Sequence, residues 1–372
     1  RLAEVLEPIG EFDRTLDVLT ETLRSDADGD SALVAQVHYW MGNNFGNLGR
    51  YHDARTHLHR ALELSRYVGE ALTRCNAENY LSQLDYFQGY LQSGLHHADA
   101  AIREMPSDVA PKRLSWARAF RLPCWTALQP VAAWDAEIQA ATDACTGAED
   151  ERGRVLILST QADDCWKIGR YAEALDHGLA SAELAERIHE GILLVFCLAS
   201  AIRIAWYAGR AELALQLFQR AEAASAQVGH AFAQANLQIA MAEVLVRLGR
   251  ADEARERAEA ALAFCAERDL GQRLQSALEI MAEIVAGGSP EEDARSDHLM
   301  QRSAEIVERS GSTWYALRHR ITAARIAIKR ARGDEAADAI AAARIGYAEM
   351  GVPAGTPELE AIAAEASAQA SR

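Results

Sequence analysis

Lysine is almost missing from this 372-residue chain. Only Lys112, Lys167 and Lys329 occur, so nearly all of its 38 basic residues are arginine. We read this as codon bias of a GC-rich bacterium in preference to selection for bidentate anion binding. Basic residues of either kind are too few to balance 54 acids, which leaves a net charge of −16. Such a surface repels phosphate backbones and anionic membranes, so neither nucleic acid nor membrane is an expected partner. Proline is scarce, with 8 residues, and alanine is abundant, so long helices are favoured. Cys75, Cys124, Cys145, Cys165, Cys197 and Cys265 form no CxxC pair. They read as reduced small hydrophobes of a cytoplasmic protein. The longest apolar stretch, 191–204, is too short to span a bilayer and contains Arg203. No signal peptide is visible. The chain opens on Arg1, and its first helix before Gly10 is short, so the expectation is a piece of a longer multidomain protein.

What is present is a repeat. Gly49, Gly89, Gly169, Gly209 and Gly249 keep a step of 40 residues, with Gln129 in the missing slot and Gly10 and Gly288 one residue off it. Their surroundings recur as Leu48-Gly49-Arg50-Tyr51, Ile168-Gly169-Arg170-Tyr171, Ala208-Gly209-Arg210-Ala211 and Leu248-Gly249-Arg250-Ala251. A fixed period in this range predicts a solenoid, each unit burying its apolar face against its neighbours only. In one unit, Ser31 caps a helix after the turn Asp28-Gly29-Asp30, and Leu33, Val34, Val37, Trp40, Met41 and Phe45 keep a helical period. Gly49 ends that helix, and a second begins near Tyr51 with Ala54, Leu58, Ala61 and Leu62 on one face. A second glycine series, Gly69, Gly191, Gly229, Gly271, Gly311 and Gly351, predicts the other turn. The unit is therefore a helical hairpin.

Met41-Gly42, Phe45, Gly49, Tyr51, Ala54, Leu58 and Ala61 resemble the tetratricopeptide-repeat consensus. Looser matches surround Gly209 (Ala211, Ala214, Phe218, Ala221) and Gly249 (Ala242, Leu245, Ala251, Ala254, Ala258, Ala261). The usual unit has about 34 residues, so each unit here is longer. Long repeats of this kind are similar to those of large bacterial signalling ATPases, cyclases and LuxR-type transcription regulators. The resemblance implies an all-α, right-handed α-solenoid of about eight helical hairpins. The whole of 1–372 is expected to be one solenoid, with N-terminal repeats over 1–104 and regular repeats over 151–286. The prolines Pro106, Pro111, Pro123 and Pro130 predict a kinked or irregular unit over 105–150. Looser repeats follow over 287–372, where Ser289 caps a helix with Pro290 and the acids Glu291, Glu292 and Asp293 in its first turn. The next hairpin turn is expected at Gly333, and a last helix beyond Gly355-Thr356-Pro357 caps the stack.

No phosphate-binding loop, HExxH or GxSxG is present, so no catalytic residue, cofactor or metal is expected. His52, His57 and His59 read as solvated surface residues, because His57 and His59 point about 200° apart on a helix. His96 and His97 also diverge. The resemblance places certain first-helix positions on the inner surface: Tyr39, Asn43, Asn76, Asn79, Gln83, Tyr86, Asp163, Trp166, Arg203, Trp206, Asn236 and Glu243. Asparagine and glutamine pair with both groups of an extended backbone, and Trp, Tyr and Arg anchor interfaces. Asn43 matches an asparagine of the carboxylate clamp in some repeat proteins, but Tyr39, Tyr80, Trp116 and Phe120 stand where the clamp's other residues belong. The expectation is a non-catalytic scaffold binding a protein, a peptide or the upstream domains of its own chain. The alternative is a small-molecule inducer sensor using the same groove, which a closed aromatic-lined pocket would favour over a long open channel.

Overall fold

A computed structural model describes residues 11–25, 31–106 and 111–370. Gly10 and the Asp28-Gly29-Asp30 turn lie outside them. Among the described residues there are eighteen α-helices and no strand. Helix α1 (Phe12–Ser25) is followed by eight hairpins. These are α2 (Ser31–Asn47) with α3 (Tyr51–Val68), α4 (Ala71–Gln88) with α5 (Leu91–Glu104), α6 (Pro111–Leu128) with α7 (Trp134–Gly147), and α8 (Glu151–Lys167) with α9 (Tyr171–Arg187). Then come α10 (Gly191–Tyr207) with α11 (Ala211–Ser225), α12 (Ala231–Arg247) with α13 (Ala251–Glu267), α14 (Gly271–Val285) with α15 (Pro290–Ser310), and α16 (Thr313–Lys329) with α17 (Gly333–Glu349). Helix α18 (Pro357–Ala370) closes the stack.

The first glycine series does what its period implies. Gly49, Gly89, Gly169, Gly209 and Gly249 all have φ between +72° and +82°. Each is followed by a residue whose N–H reaches back five positions, as in Arg50 N to Phe45 O at 2.8 Å and Arg210 N to Ala205 O at 2.8 Å. That bond satisfies a carbonyl the helix end would otherwise strand. The second series is partly different. Gly69, Gly311 and Gly351 are left-handed, but His189, Asp269, Glu149 and Ala331 take that role at other turns. Gly191, Gly271 and Gly333 instead open the next helix, and Gly229 does not have positive φ. The turn expected at Gly333 is thus built on Ala331.

The proline-rich unit keeps the hairpin form. Pro111 opens α6, where its missing N–H costs nothing, and α6 runs through Pro123 instead of breaking there. A short 3₁₀ turn, Val131–Ala133, leads into α7. At α15, Ser289 Oγ accepts from Glu292 N at 3.2 Å while the Glu292 carboxylate accepts from Ser289 N at 3.0 Å, a closed capping box.

Buried alanines let the helices close up: Ala54, Ala61, Ala174, Ala182, Ala214, Ala221, Ala254 and Ala261 all lie in one continuous core. Leu16, Leu19, Val37 and Met41 form a small separate cluster under α1.

The expectation that units touch only their neighbours is wrong. The first hairpin meets the sixth: a Cβ on Gly49 would lie 2.9 Å from Ala231 Cβ. The second meets the seventh, where Gln88 Nε2 donates to Asp269 Oδ2 at 2.8 Å and Arg309 stacks 4.8 Å above the Tyr90 ring. Between the third and eighth, Ser312 Oγ donates to Ala127 O at 2.8 Å and Val131 N to Met350 O at 3.0 Å. The fourth meets α18, where a Cβ on Gly169 would lie 2.8 Å from Pro357 Cδ. The superhelix therefore returns on itself every five units, and α4 packs on α14 and α6 on α16 across the turns.

Candidate functional site

Because successive turns touch, the inner surface is a channel walled from more than one side, with an opening to solvent. It holds a cavity of about 670 Å³ walled by the first helices of the hairpins. Aromatic pairs from different turns close its walls. Phe87 stacks on Phe232 at 4.2 Å, and Trp166 meets Trp314 edge-on at 5.2 Å.

Ten of the twelve residues placed on the inner face by register line this cavity: Tyr39, Asn43, Asn76, Asn79, Gln83, Tyr86, Asp163, Trp166, Arg203 and Glu243. Trp206 and Asn236 do not. Trp206 packs half-buried against the main core. It stands three residues before Gly209, whose turn has nothing facing it, so no second turn of the superhelix folds it inward as Trp314 does for Trp166. Asn236 is buried and accepts a hydrogen bond from Arg273 Nη1 at 2.9 Å.

The wall is polar and ordered. Asn47 Nδ2 donates to Asn43 Oδ1 at 3.2 Å, and the Tyr80 hydroxyl reaches Asn43 O at 2.8 Å. These bonds take up the acceptors Oδ1 and O of Asn43, the asparagine that resembled the carboxylate clamp, and do not involve its Nδ2. Arg203 lies 4.3 Å above the Trp166 ring, with Nη2 3.5 Å from Asp163 Oδ1, and Ser200 also donates to Asp163. Arg318 pairs with Glu358 at 2.7 Å and Glu243 at 3.3 Å, and Tyr207 donates to both acids. Burial alone would strip the Lys167 proton. Asp164, 2.7 Å away, and Asp163 outweigh that effect and keep the ammonium charged. Burial pushes the Tyr86 hydroxyl up, so it stays a neutral donor.

Several buried polar atoms of the wall have no hydrogen-bond partner, among them Asn79 Oδ1, Ser159 Oγ, Gln272 Oε1, Arg203 Nε and Arg273 Nε. Gln272, Arg273, Trp314, Tyr315 and Arg318 were not anticipated from sequence. One signal was available. Arg113, Leu193 and Ala233 line the cavity at a single position of the 40-residue register, and Arg273 is the next residue at that position.

Two further groupings depart from the sequence expectations. His57 is half-buried, with its Nδ1 2.8 Å from that of His38. Burial and the neighbouring ring lower His38 to about 4. His52 and His59 are exposed. Separately, Cys165, Glu173 and His177 bring one ligand-capable atom each to within 4.8 Å of one another, across the α8–α9 hairpin. Burial and the carboxylates of Glu173 and Asp164 push the Cys165 thiol up to about 12. The i, i+4 spacing of Glu173 and His177 was legible; the approach of Cys165 from the facing helix was not. Among the described residues no helix is long and apolar enough to cross a membrane.

No protein-family model matches the chain, and no curated protein does. Among solved structures it is similar to a Rap protein complexed with competence and sporulation factor, at TM-score 0.66 and 14% identity, over 94% of this chain and 96% of that one. It is also similar to a signal transduction ATPase with a tetratricopeptide repeat sensor from Pyrococcus horikoshii, at TM-score 0.50 and 12% identity, over 89% of this chain. This chain spans about half that protein's length, 49%. The likeness is one of fold: a tetratricopeptide-repeat-like α-solenoid.

Proposed function

We propose that the chain is a non-catalytic scaffold that draws a short peptide, or a projecting segment of a partner protein, into its channel. Its setting is the recognition part of a larger bacterial signalling or transcriptional regulator. The observation that carries this reading is the set of unpaired buried polar atoms on the cavity wall. Asn79, Ser159 and Gln272 stand on three separate first helices and present Oδ1, Oγ and Oε1 without partners. Buried polar groups are nearly always paired, and an extended backbone supplies N–H and C=O groups at regular intervals. The cavity volume of about 670 Å³ suits a compact ligand and excludes a whole folded domain. The fold likeness to a Rap protein complexed with competence and sporulation factor supports the same direction.

A small-molecule inducer is the second reading, favoured by the enclosure and by the aromatic walls. The carboxamides of Asn43, Asn47, Asn76, Asn79 and Gln83 along one side of the cavity fit a repeating backbone better than a single small ring.

Affinity selection tests the proposal. A pool of random hexapeptides passed over the purified protein yields enriched members, and Asn79→Leu, which keeps the volume but not the carboxamide, weakens the best of them about fivefold. If no peptide is enriched, the peptide reading is wrong.

A further inference from the structure

Arg273 stands apart from Lys167, Arg203 and Arg318, the other cations set deep in the cavity wall. Lys167 is neutralised by Asp164 at 2.7 Å, Arg318 by Glu358 at 2.7 Å, and Arg203 leans on Asp163 at 3.5 Å. Arg273 is only 7% exposed, yet among the described residues no carboxylate oxygen lies within 4.0 Å of its nitrogens. Its one hydrogen-bonding partner is the neutral carboxamide of Asn236, and its Nε has none. Asp163 and Glu279, acids that line the same cavity, are occupied elsewhere. Asp163 accepts from Ser200, and Glu279 accepts from Ser303 at 2.7 Å and Gln275 at 3.0 Å. A guanidinium does not shed its proton, so the buried charge cannot be relieved by titration. Leaving it without a counter-charge is costly.

The side chain is nevertheless held in place. Nη1 is fixed to Asn236 Oδ1 at 2.9 Å, and the guanidinium sits 5.1 Å above the Phe232 ring. Phe232 is itself locked between Phe87, 4.2 Å away, and Phe196, 6.0 Å away. Beside it, Gln272 presents an unpaired Oε1 into the same cavity. A positioned, desolvated fork of N–H donors with an adjacent acceptor is complementary to a carboxylate followed by an amide N–H.

We propose that Arg273 receives a carboxylate of the ligand, so that the chain selects peptides bringing an acidic group into the channel. This rests on the peptide reading above. The acid is either the free C-terminus or an Asp or Glu side chain, and both present the same two oxygens to the fork.

Two hexapeptide pools separate these sources: one of random sequence with free C-termini, and one with the same sequences amidated. Each is passed over the wild-type protein and over Arg273→Met, which keeps the length and apolar stem of the side chain. With wild type, free-acid peptides are retained whatever their sequence if the terminus is read. If a side chain is read, amidated peptides are retained only when they contain Asp or Glu. Titrated singly, the best acid-bearing peptide binds Arg273→Met at least about tenfold more weakly, while Arg273→Lys falls between the two. Circular dichroism and melting confirm that the variants fold, and the pool comparison in wild type stands if one does not. Retention of amidated peptides lacking Asp and Glu as strongly as acid-bearing ones overturns the carboxylate assignment and leaves the peptide reading intact. Absence of enrichment from either pool overturns both.

Discussion

The turns at Gly169 and Gly209 are built alike, with φ of +81° and +73° and the same five-position hydrogen bond behind them. Around Gly169 the second turn of the superhelix presses down, placing Pro357 and Thr356 within about 3 Å of where a Cβ would stand. Around Gly209 a Cβ would meet nothing within 4 Å. The comparison separates two roles that one motif holds together. The positive φ belongs to the hairpin, and the absence of a side chain belongs to the contact between turns. The residue two positions on differs accordingly. Tyr51 and Tyr171 follow the covered glycines, whereas Ala211 and Ala251 follow the open ones. Tyr51 is buried beside Arg268 and Asp269, in the connection between the sixth and seventh hairpins, and Tyr171 approaches Glu358 and Thr356 at α18.

The largest effect should come from the charge that locks the covered side. Glu358→Ala leaves Arg318 and Arg325 buried with much of their counter-charge gone, at a cost of about 3–5 kcal/mol. Urea unfolding reads this directly, and an unchanged midpoint would mean the α18 contact is idle. Burial by itself would raise the Glu358 carboxyl, but the two arginines prevail and hold it at about 2. Its contribution is therefore complete above the usual carboxylate range and is lost as pH falls from there towards 2.

A second acid step lies higher. His230 packs edge-on against Phe87 of the second hairpin at 6.1 Å, and burial depresses it to about 4, against the raising effect of a backbone hydrogen bond. A depressed histidine stabilises above its unfolded value near 6.5 and loses that contribution as pH falls towards 4. The melting temperature of wild type should drop across that window. His230→Asn keeps a cap acceptor for Ala233 N and should drop less; equal slopes would remove His230 from the contact.

Gly169→Ala should cost about 2–3 kcal/mol, since left-handed strain adds to overpacking against Pro357. Gly209→Ala should cost about 1 kcal/mol, from the strain alone. Equal losses would erase the distinction drawn between the two turns.

The hairpins and their glycine turns were legible because they depend on residues a few positions apart. The turns carried by His189, Asp269, Glu149 and Ala331 were not, because a left-handed residue need not be glycine when the next helix start fixes it. Gly271 was mistaken for such a turn. Its real constraint is Gln88 O, 2.2 Å from where its Cβ would be, a fact of the opposite turn. The inner face was legible where the 40-residue step holds, which is why residues from Tyr39 to Glu243 reach the cavity. Trp314, Tyr315 and Arg318 escaped because the step lengthens after Gly288. Arg273 escaped because its register position holds glycine or apolar residues in the three preceding units.

The return of the superhelix every five units also changes how such a chain must fold. Gln88 is bonded to a residue 181 positions away, and Ser312 to one 185 away. A solenoid with nearest-neighbour contacts alone can nucleate anywhere and zip outward. Here the closing contacts form only after a loop of that length has been drawn together, an entropic toll paid before any of them contributes. High contact order slows folding, so assembly divides into fast growth of hairpins and a late docking of one turn on the other. The channel, and any ligand it takes, exists only after that second event.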